Sequence, residues 1–211
     1  MSKSVTIYEK IKNFKKIIEV AGDKSLSIRW VLMASQAIGR SRAYNILNSE
    51  DVNNAILSMK KLGIKIKKNN NFCEINSKGL NSFSYKNNTI INAGNSGTFA
   101  RLIMGVLSNC DKQIVIKGDK SLSGRDFQRV IKPLNLFGVK INSKNNKLPL
   151  TLQGTKFLKP INYYEKKGSA QVKSCILFAA LNTNGETVIK CKKSRDHTEK
   201  LFMSLNLPIK V

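Results

Sequence analysis

Acidic residues are scarce in this chain of 211: 13 Asp and Glu face 37 Lys and Arg, for a formal net charge of +24. Apart from Glu50 and Asp51, which fit a helix start, no close pair of carboxylates offers itself for acid–base catalysis. Histidine is nearly absent, with His197 alone, so no metal cage is expected. His197 follows Asp196 near a helix start and lacks an accompanying serine or cysteine nucleophile motif, so a capping or surface role suits it better than that of a general base. The four cysteines, Cys73, Cys110, Cys175 and Cys191, show neither close metal-ligand spacing nor the density of a disulfide scaffold. They are expected as small, buried free thiols in a reducing compartment. No run of about 18 apolar residues is available to span a bilayer, and Met1–Asn13 lacks the apolar centre of a secretory signal. A cytoplasmic protein without a membrane partner follows as the expectation.

Arginine is the second scarcity. It appears only at Arg29, Arg40, Arg42, Arg101, Arg125, Arg129 and Arg195, in a chain whose abundant Asn, Ile and Lys fit an AT-rich coding bias. Where lysine is the default cation, a retained arginine marks a place that needs a planar, bidentate fork for phosphate or carboxylate. The overall charge makes nucleic acid the first candidate partner. Against it, no RNA-binding aromatic motif is present and the arginines gather at helix starts rather than along a stripe, so no nucleic-acid partner is expected.

What is present is repetition. Hydrophobic residues make up 41% of the chain and are spread along it, enough for one large domain or two small ones. Three openings, Lys24–Ser35, Asn95–Leu107 and Ser169–Leu181, each run from small or polar residues into an apolar helix. A strand-like run follows each, at Arg42–Leu47, Gln113–Lys117 and Glu186–Lys190. Then an acidic start signal at Asp51, Asp126 or Asp196 precedes a second helix, and each helix runs into a terminal strand at Leu62–Ile66, Phe137–Ile141 or Leu207–Val211. Asp51 to Asp126 spans 75 positions and Asp126 to Asp196 spans 70, a nearly regular period.

Three such units predict pseudo-threefold α/β packing, in which equivalent helix N-termini converge on one anion-binding face. The polar connectors 67–92 and 142–167 carry possible hairpins, as at Phe72–Ile75, and no assigned chemistry. The third copy stops at Val211, directly after its last strand begins, so the domain is expected to be truncated there. Ser4–Ile7 is expected as a strand of a missing second domain.

Each helix mouth carries hydrogen-bonding groups. Lys24, Ser25 and Arg29 surround the first; Asn95, Gly97, Thr98 and Arg101 the second; Arg125 the helix that follows it. Ser169 and Gln171, with Ser194 and Arg195, repeat the theme in the third copy. Taken singly, each cluster is matched by a plain alternative, a capped helix with solvated charges. Together they suit a ligand rich in phosphate or carboxylate.

Five segments resemble one family in register and in order from Gly22 to Glu199: GDKSLSxR, NSGTxxR, GDxSLxxR, SAQVKS and SRDHTE. The family is that of 5-enolpyruvylshikimate-3-phosphate synthases, and the resemblance is to its N-terminal portion. It implies an inside-out α/β barrel domain of three βαβαββ-type units over 21–211, with residues 1–20 belonging to a second domain. It also implies transfer of an enolpyruvyl group from phosphoenolpyruvate to the 5-hydroxyl of shikimate-3-phosphate, without metal or organic cofactor, in a full-length monomer.

By motif, Lys24, Ser25, Arg29, Ser169, Gln171, Ser194 and Arg195 would bind shikimate-3-phosphate. Lys24, Gly97, Arg125 and Gln171 would bind phosphoenolpyruvate, with Asn95, Thr98 and Arg101 in support. The acid and base groups are expected in the missing C-terminal domain, beyond Val211, so the isolated chain is expected to be inactive. Family members commonly carry proline where this chain has Ala21 and Asp126, and Asp126 is expected to weaken the field of Arg125. Gly97 is typical of members sensitive to glyphosate. The alternatives are a transferase acting on UDP-N-acetylglucosamine, whose reactive-cysteine loop has no clear counterpart here, and a free-standing domain that only binds.

Overall fold

The structure is a computed structural model that describes residues 4–69, 72–80 and 82–211. Helix α1 (Lys24–Ala34) opens where the Asp23 carboxylate accepts from the Leu26 N–H at 2.7 Å, satisfying one of the free donors of the first turn. Strand β1 (Ile38–Tyr44) leads to α2 (Glu50–Lys61), which Ser49 caps and which places Glu50 and Asp51 in its first turn and Lys60 and Lys61 in its last. Those charges complement the helix dipole. With β2 (Lys65–Lys68) and β3 (Phe72–Lys78), β1 forms an antiparallel sheet of order β1-β3-β2.

A second sheet has the order β4-β5-β7-β6. Strand β4 (Thr89–Asn92) runs through α3 (Gly97–Val106) to its parallel neighbour β5 (Ile114–Lys117). Short α4 (Lys120–Ser123) and α5 (Gln128–Phe137) follow. Then β6 (Lys140–Ser143) pairs antiparallel with β7 (Leu150–Gln153), which also borders β5. The third sheet repeats the crossover: β8 (Asn162–Glu165), α6 (Ala170–Ala180) and β9 (Val188–Cys191), with β8 and β9 parallel, and α7 (His197–Ser204) after them.

The core lies between the first helices of the three groups. α3 is apolar nearly all round and correspondingly buried, from Phe99 through Val106. It packs against α6 and α1, with α5 and α7 closing on α6. Gly105 permits a close approach of α3 to α6: a Cβ there would stand 2.1 Å from the backbone oxygen of Cys175. Phe99, Phe127, Phe137, Phe178 and Phe202 fill the interior, the last two edge to face at 5.5 Å.

Most expected elements form within a residue or two, and two expectations need correction. The first strand is Ile38–Tyr44 rather than Arg42–Leu47. Asn45 has φ 54 and ends it, while Ile38–Ser41, which show no alternating burial, are recruited by pairing with β3. The terminal run Leu207–Val211 is not a strand. β2 and β6 are held by the hairpin partners β3 and β7, and among the described residues no such partner pairs with 207–211. Ser4–Ile7, expected as a strand of a second domain, runs exposed, with Val5 at 90% and Ile7 at 87% accessibility.

The connectors hold β3, β4, β7 and β8, and β3 carries the pairing expected at Phe72–Ile75, antiparallel to β2. Of 67–92, residues 70, 71 and 81 lie outside the described residues, as do 1–3 of the N-terminal segment. No helix among the described residues is long and apolar enough to cross a membrane. Cys73, Cys110 and Cys175 are buried free thiols and Cys191 is half-buried.

Candidate functional site

The N-terminal ends of α3 and α6 meet side by side, because the helices pack closely along their length. The Gln171 amide donates to the Thr98 hydroxyl at 3.0 Å, tying the two mouths together across 73 residues of sequence. Beside Thr98, Gly97 is buried against guanidinium groups: a Cβ at 97 would meet Arg101 Nη1 at 2.8 Å and Arg125 Nη1 at 3.1 Å. Arg101 donates to the Gly97 carbonyl (3.1 Å) and the Asp126 carbonyl (3.2 Å), and its guanidinium lies 4.6 Å from the centroid of the Phe127 ring. Arg125 donates to Asn95 Oδ1 at 3.1 Å, and Asn95 in turn donates to Asp119 Oδ2 at 2.6 Å. Asp119 also caps α4 through the Leu122 N–H, so one carboxylate fixes both the short helix and the arginine's partner.

Asp126 follows Arg125 at the approach to α5. Its carboxylate turns to the Gln128 N–H, 2.7 Å away, at the start of α5. Its negative charge also favours that helix end, and the Arg125 guanidinium donates to Asn95.

On the other side of Gln171, a cleft of about 360 Å³ is lined by Arg129, Lys167, Gly168, Ser169, Ala170, Gln171, Ser194 and Arg195. Ser169 caps α6, its hydroxyl accepting from the Val172 N–H at 3.3 Å. Both its plain role and its place in the cleft are therefore real. The Ser194 hydroxyl is buried without a hydrogen-bond partner, which leaves its donor and acceptor capacity for a ligand.

Arg29 is 3% exposed and acts as a clasp. It donates to Thr198 Oγ1 (2.7 Å), Ser174 Oγ (3.0 Å) and the Ser25 carbonyl (3.0 Å), joining α1, α6 and α7. Three of the five guanidinium N–H groups are engaged, so two remain for another acceptor. Burial lowers its pKa most, and nearby Arg195 adds to that, against the opposing effect of Glu199 and Asp23. Arg101 is likewise lowered, first by burial and then by Arg125 and Arg129. Cations crowd both regions, and a bound anion would relieve that repulsion. Lys24 is exposed and paired at 3.0 Å with Asp51 in the first turn of α2, a helix whose Glu50 and Asn54 border Gly94 in the loop that leads to α3.

The structure thus joins Gly97, Thr98, Arg101, Arg125, Asn95 and Gln171 in one network, and Ser169, Gln171, Ser194 and Arg195 in one cleft. Residues 8–211 match the family described as EPSP synthase (3-phosphoshikimate 1-carboxyvinyltransferase). The chain belongs to that family. Among its relatives, the 3-phosphoshikimate 1-carboxyvinyltransferase of Endomicrobium trichonymphae is 42% identical over 197 residues, covering 92% of this chain and 46% of the relative. That of Streptococcus suis (strain 98HAH33) is 40% identical over 203 residues, covering 95% and 47%. A solved EPSP synthase from Acinetobacter baumannii superimposes with a TM-score of 0.86 at 33% identity, over 92% of this chain and 44% of that one. The chain spans about half the length of the curated relatives it matches.

Three features escaped the motifs that mark EPSP synthases. Arg129 and Lys167 line the cleft, and Glu165 is buried behind it. The scarcity of arginine did point to Arg129. The same signal also pointed to Arg40 and Arg42, whose Nε atoms lie 3.8 and 2.9 Å from the carboxylate of Glu74 on the first sheet; they grip a carboxylate of the protein itself.

Proposed function

We propose that this chain supplies the substrate-binding half of a 3-phosphoshikimate 1-carboxyvinyltransferase. Its three α/β units form the inside-out barrel domain over 21–211, residues 1–20 belong with a second domain, and the protein works in the cytoplasm as a monomer. In the reaction, the 5-hydroxyl of shikimate-3-phosphate adds to C2 of phosphoenolpyruvate as the methylene carbon gains a proton. Loss of inorganic phosphate and of a methyl proton then regenerates the enol ether.

The observation that carries this reading is the Gln171–Thr98 hydrogen bond, because it fuses the arginine-walled mouth of α3 with the cleft at α6. Two substrates bearing phosphates and carboxylates repel one another, and a fixed surface of donors and guanidinium groups offsets that repulsion without reorganising. Arg125 and Gly97, with Lys24, take phosphoenolpyruvate. Ser169, Ser194 and Arg195 take the phosphate of shikimate-3-phosphate, Ser25 and the two free N–H groups of Arg29 hold its ring substituents, and Gln171 faces both ligands. Asn95, Thr98 and Arg101 keep the wall in place. Proton transfer requires a positioned acid and base, which this proposal assigns to the second half of the enzyme.

Calorimetric titration of the chain with shikimate-3-phosphate, alone and with a C-terminal half added, followed by a phosphate-release assay, tests this. Binding by the chain alone and turnover only with the second half are expected. Full activity from the isolated chain would contradict the placement of the acid and base. In the two-half enzyme glyphosate is expected to inhibit, and unchanged turnover at saturating glyphosate would reject that.

A further inference from the structure

We propose that Arg129 is a further phosphate-contacting residue of the α6 cleft and that Glu165 is the positioning residue that holds it there. This rests on the reading that the cleft takes a phosphate monoester. Arg129 is the second residue of α5 and lines the cleft opposite no motif that would have named it. Its Nη2 donates to Glu165 Oε1 at 2.6 Å. The second oxygen of Glu165 accepts from the Ser169 N–H at 2.8 Å. A single carboxylate, its side chain 5% exposed, therefore bridges the guanidinium to the capping residue of α6. That bridge sets Arg129 in register with Ser169 and Gln171, on a helix whose N-cap residue, Phe127, makes no side-chain cap bond.

Only one of the five donors of Arg129 is spent on Glu165 in these bonds, and the side chain remains 43% exposed. Three cations, Arg129, Lys167 and Arg195, face the cleft, and one carboxylate backs it. The two unbalanced positive charges match a phosphate monoester, which carries roughly −1.5 to −2 near neutral pH. The unpartnered Ser194 hydroxyl supplies a neutral donor on the same surface.

Glu165 makes the proposal testable, because two roles predict opposite signs. As a plain negative charge it weakens phosphate binding, and Glu165→Gln would tighten it. As a positioning residue it holds the fork, and Glu165→Gln loosens it. The intact chain, Arg129→Ala, Arg129→Lys and Glu165→Gln are titrated calorimetrically with shikimate-3-phosphate and with shikimate, which lacks the phosphate. Arg129→Ala is expected to weaken shikimate-3-phosphate binding on the order of 10-fold or more, as for loss of a charge-assisted bond, and to leave shikimate binding unchanged. Arg129→Lys should restore part of that loss, and Glu165→Gln should weaken the phosphate ligand alone.

Equal affinity of Arg129→Ala and the parent for shikimate-3-phosphate overturns the proposal; tighter binding by Glu165→Gln overturns the positioning role. Failure of the parent chain to bind shikimate-3-phosphate defeats the underlying functional reading instead. If a variant does not fold, the Nε–H resonance of Arg129 in the parent decides: it must shift with shikimate-3-phosphate and stay put with shikimate.

Discussion

Gly105→Ala gives the sharpest test of how packing holds the site. In isolation the change favours the helix, by about 1 kcal/mol, since alanine loses less backbone entropy than glycine. The structure opposes it. The new methyl carbon would stand 2.1 Å from the Cys175 oxygen, 2.9 Å from its carbonyl carbon and 3.2 Å from its Cα, where ordinary contact begins near 3.4 Å. These are backbone atoms, so no rotamer change relieves the clash and α3 must separate from α6 by roughly 1 Å. Overpacking of this kind costs about 1–3 kcal/mol and more when backbone must move. The upper part of that range exceeds the propensity gain, so a net loss of about 2 kcal/mol is expected.

The separation also stretches the Thr98–Gln171 bond, which spans the same two helices, so shikimate-3-phosphate affinity should fall although residue 105 is two turns from the mouth. Urea unfolding followed by the fluorescence of Trp30 measures the first effect and calorimetry the second. Gly124→Ala is the control: its nearest neighbours would be 3.5 and 3.8 Å away, and its stability should stay within about 0.5 kcal/mol of the parent. A Gly105→Ala chain as stable as the parent would refute the packing argument.

Other outcomes follow from the same geometry. Burial pushes the Cys175 thiol up to about 12 and Cys73 and Cys110 to about 11, so brief alkylation near pH 8 should mark half-buried Cys191 first and the other three only after unfolding, as read by mass spectrometry. Gly97→Ala crowds the ends of two arginine side chains and meets Leu122 Cδ1 at an ordinary 3.6 Å; the fold should survive while displacement of Arg101 and Arg125 raises KM for phosphoenolpyruvate in the assembled enzyme, leaving shikimate-3-phosphate binding intact. For Glu165, burial alone would raise the pKa, but the hydrogen bond from Arg129, the Ser169 N–H and the charge of Arg129 together hold it below the ordinary carboxylate value. Its contribution to stability is therefore complete above an unfolded value of about 4.3 and is lost as pH falls through the lower folded value. Glu165→Gln should flatten that part of an acid-unfolding curve monitored by circular dichroism, and an unchanged curve would contradict the assignment.

The sequence alone determined the family, through five segments in register, and most helix starts, because capping and dipole effects act over three or four residues and are written locally. Asp23, Ser96 and Ser169 cap the helices that follow them. It also assigned arginines to helix mouths, but not their duties. Only packing decided that Arg29 clasps Thr198, 169 positions away, that Arg42 holds Glu74, and that Glu165 sits behind Arg129. A guanidinium has the same chemistry in every case; which acceptor reaches it depends on how distant helices and strands are brought together, and residue spacing carries no record of that.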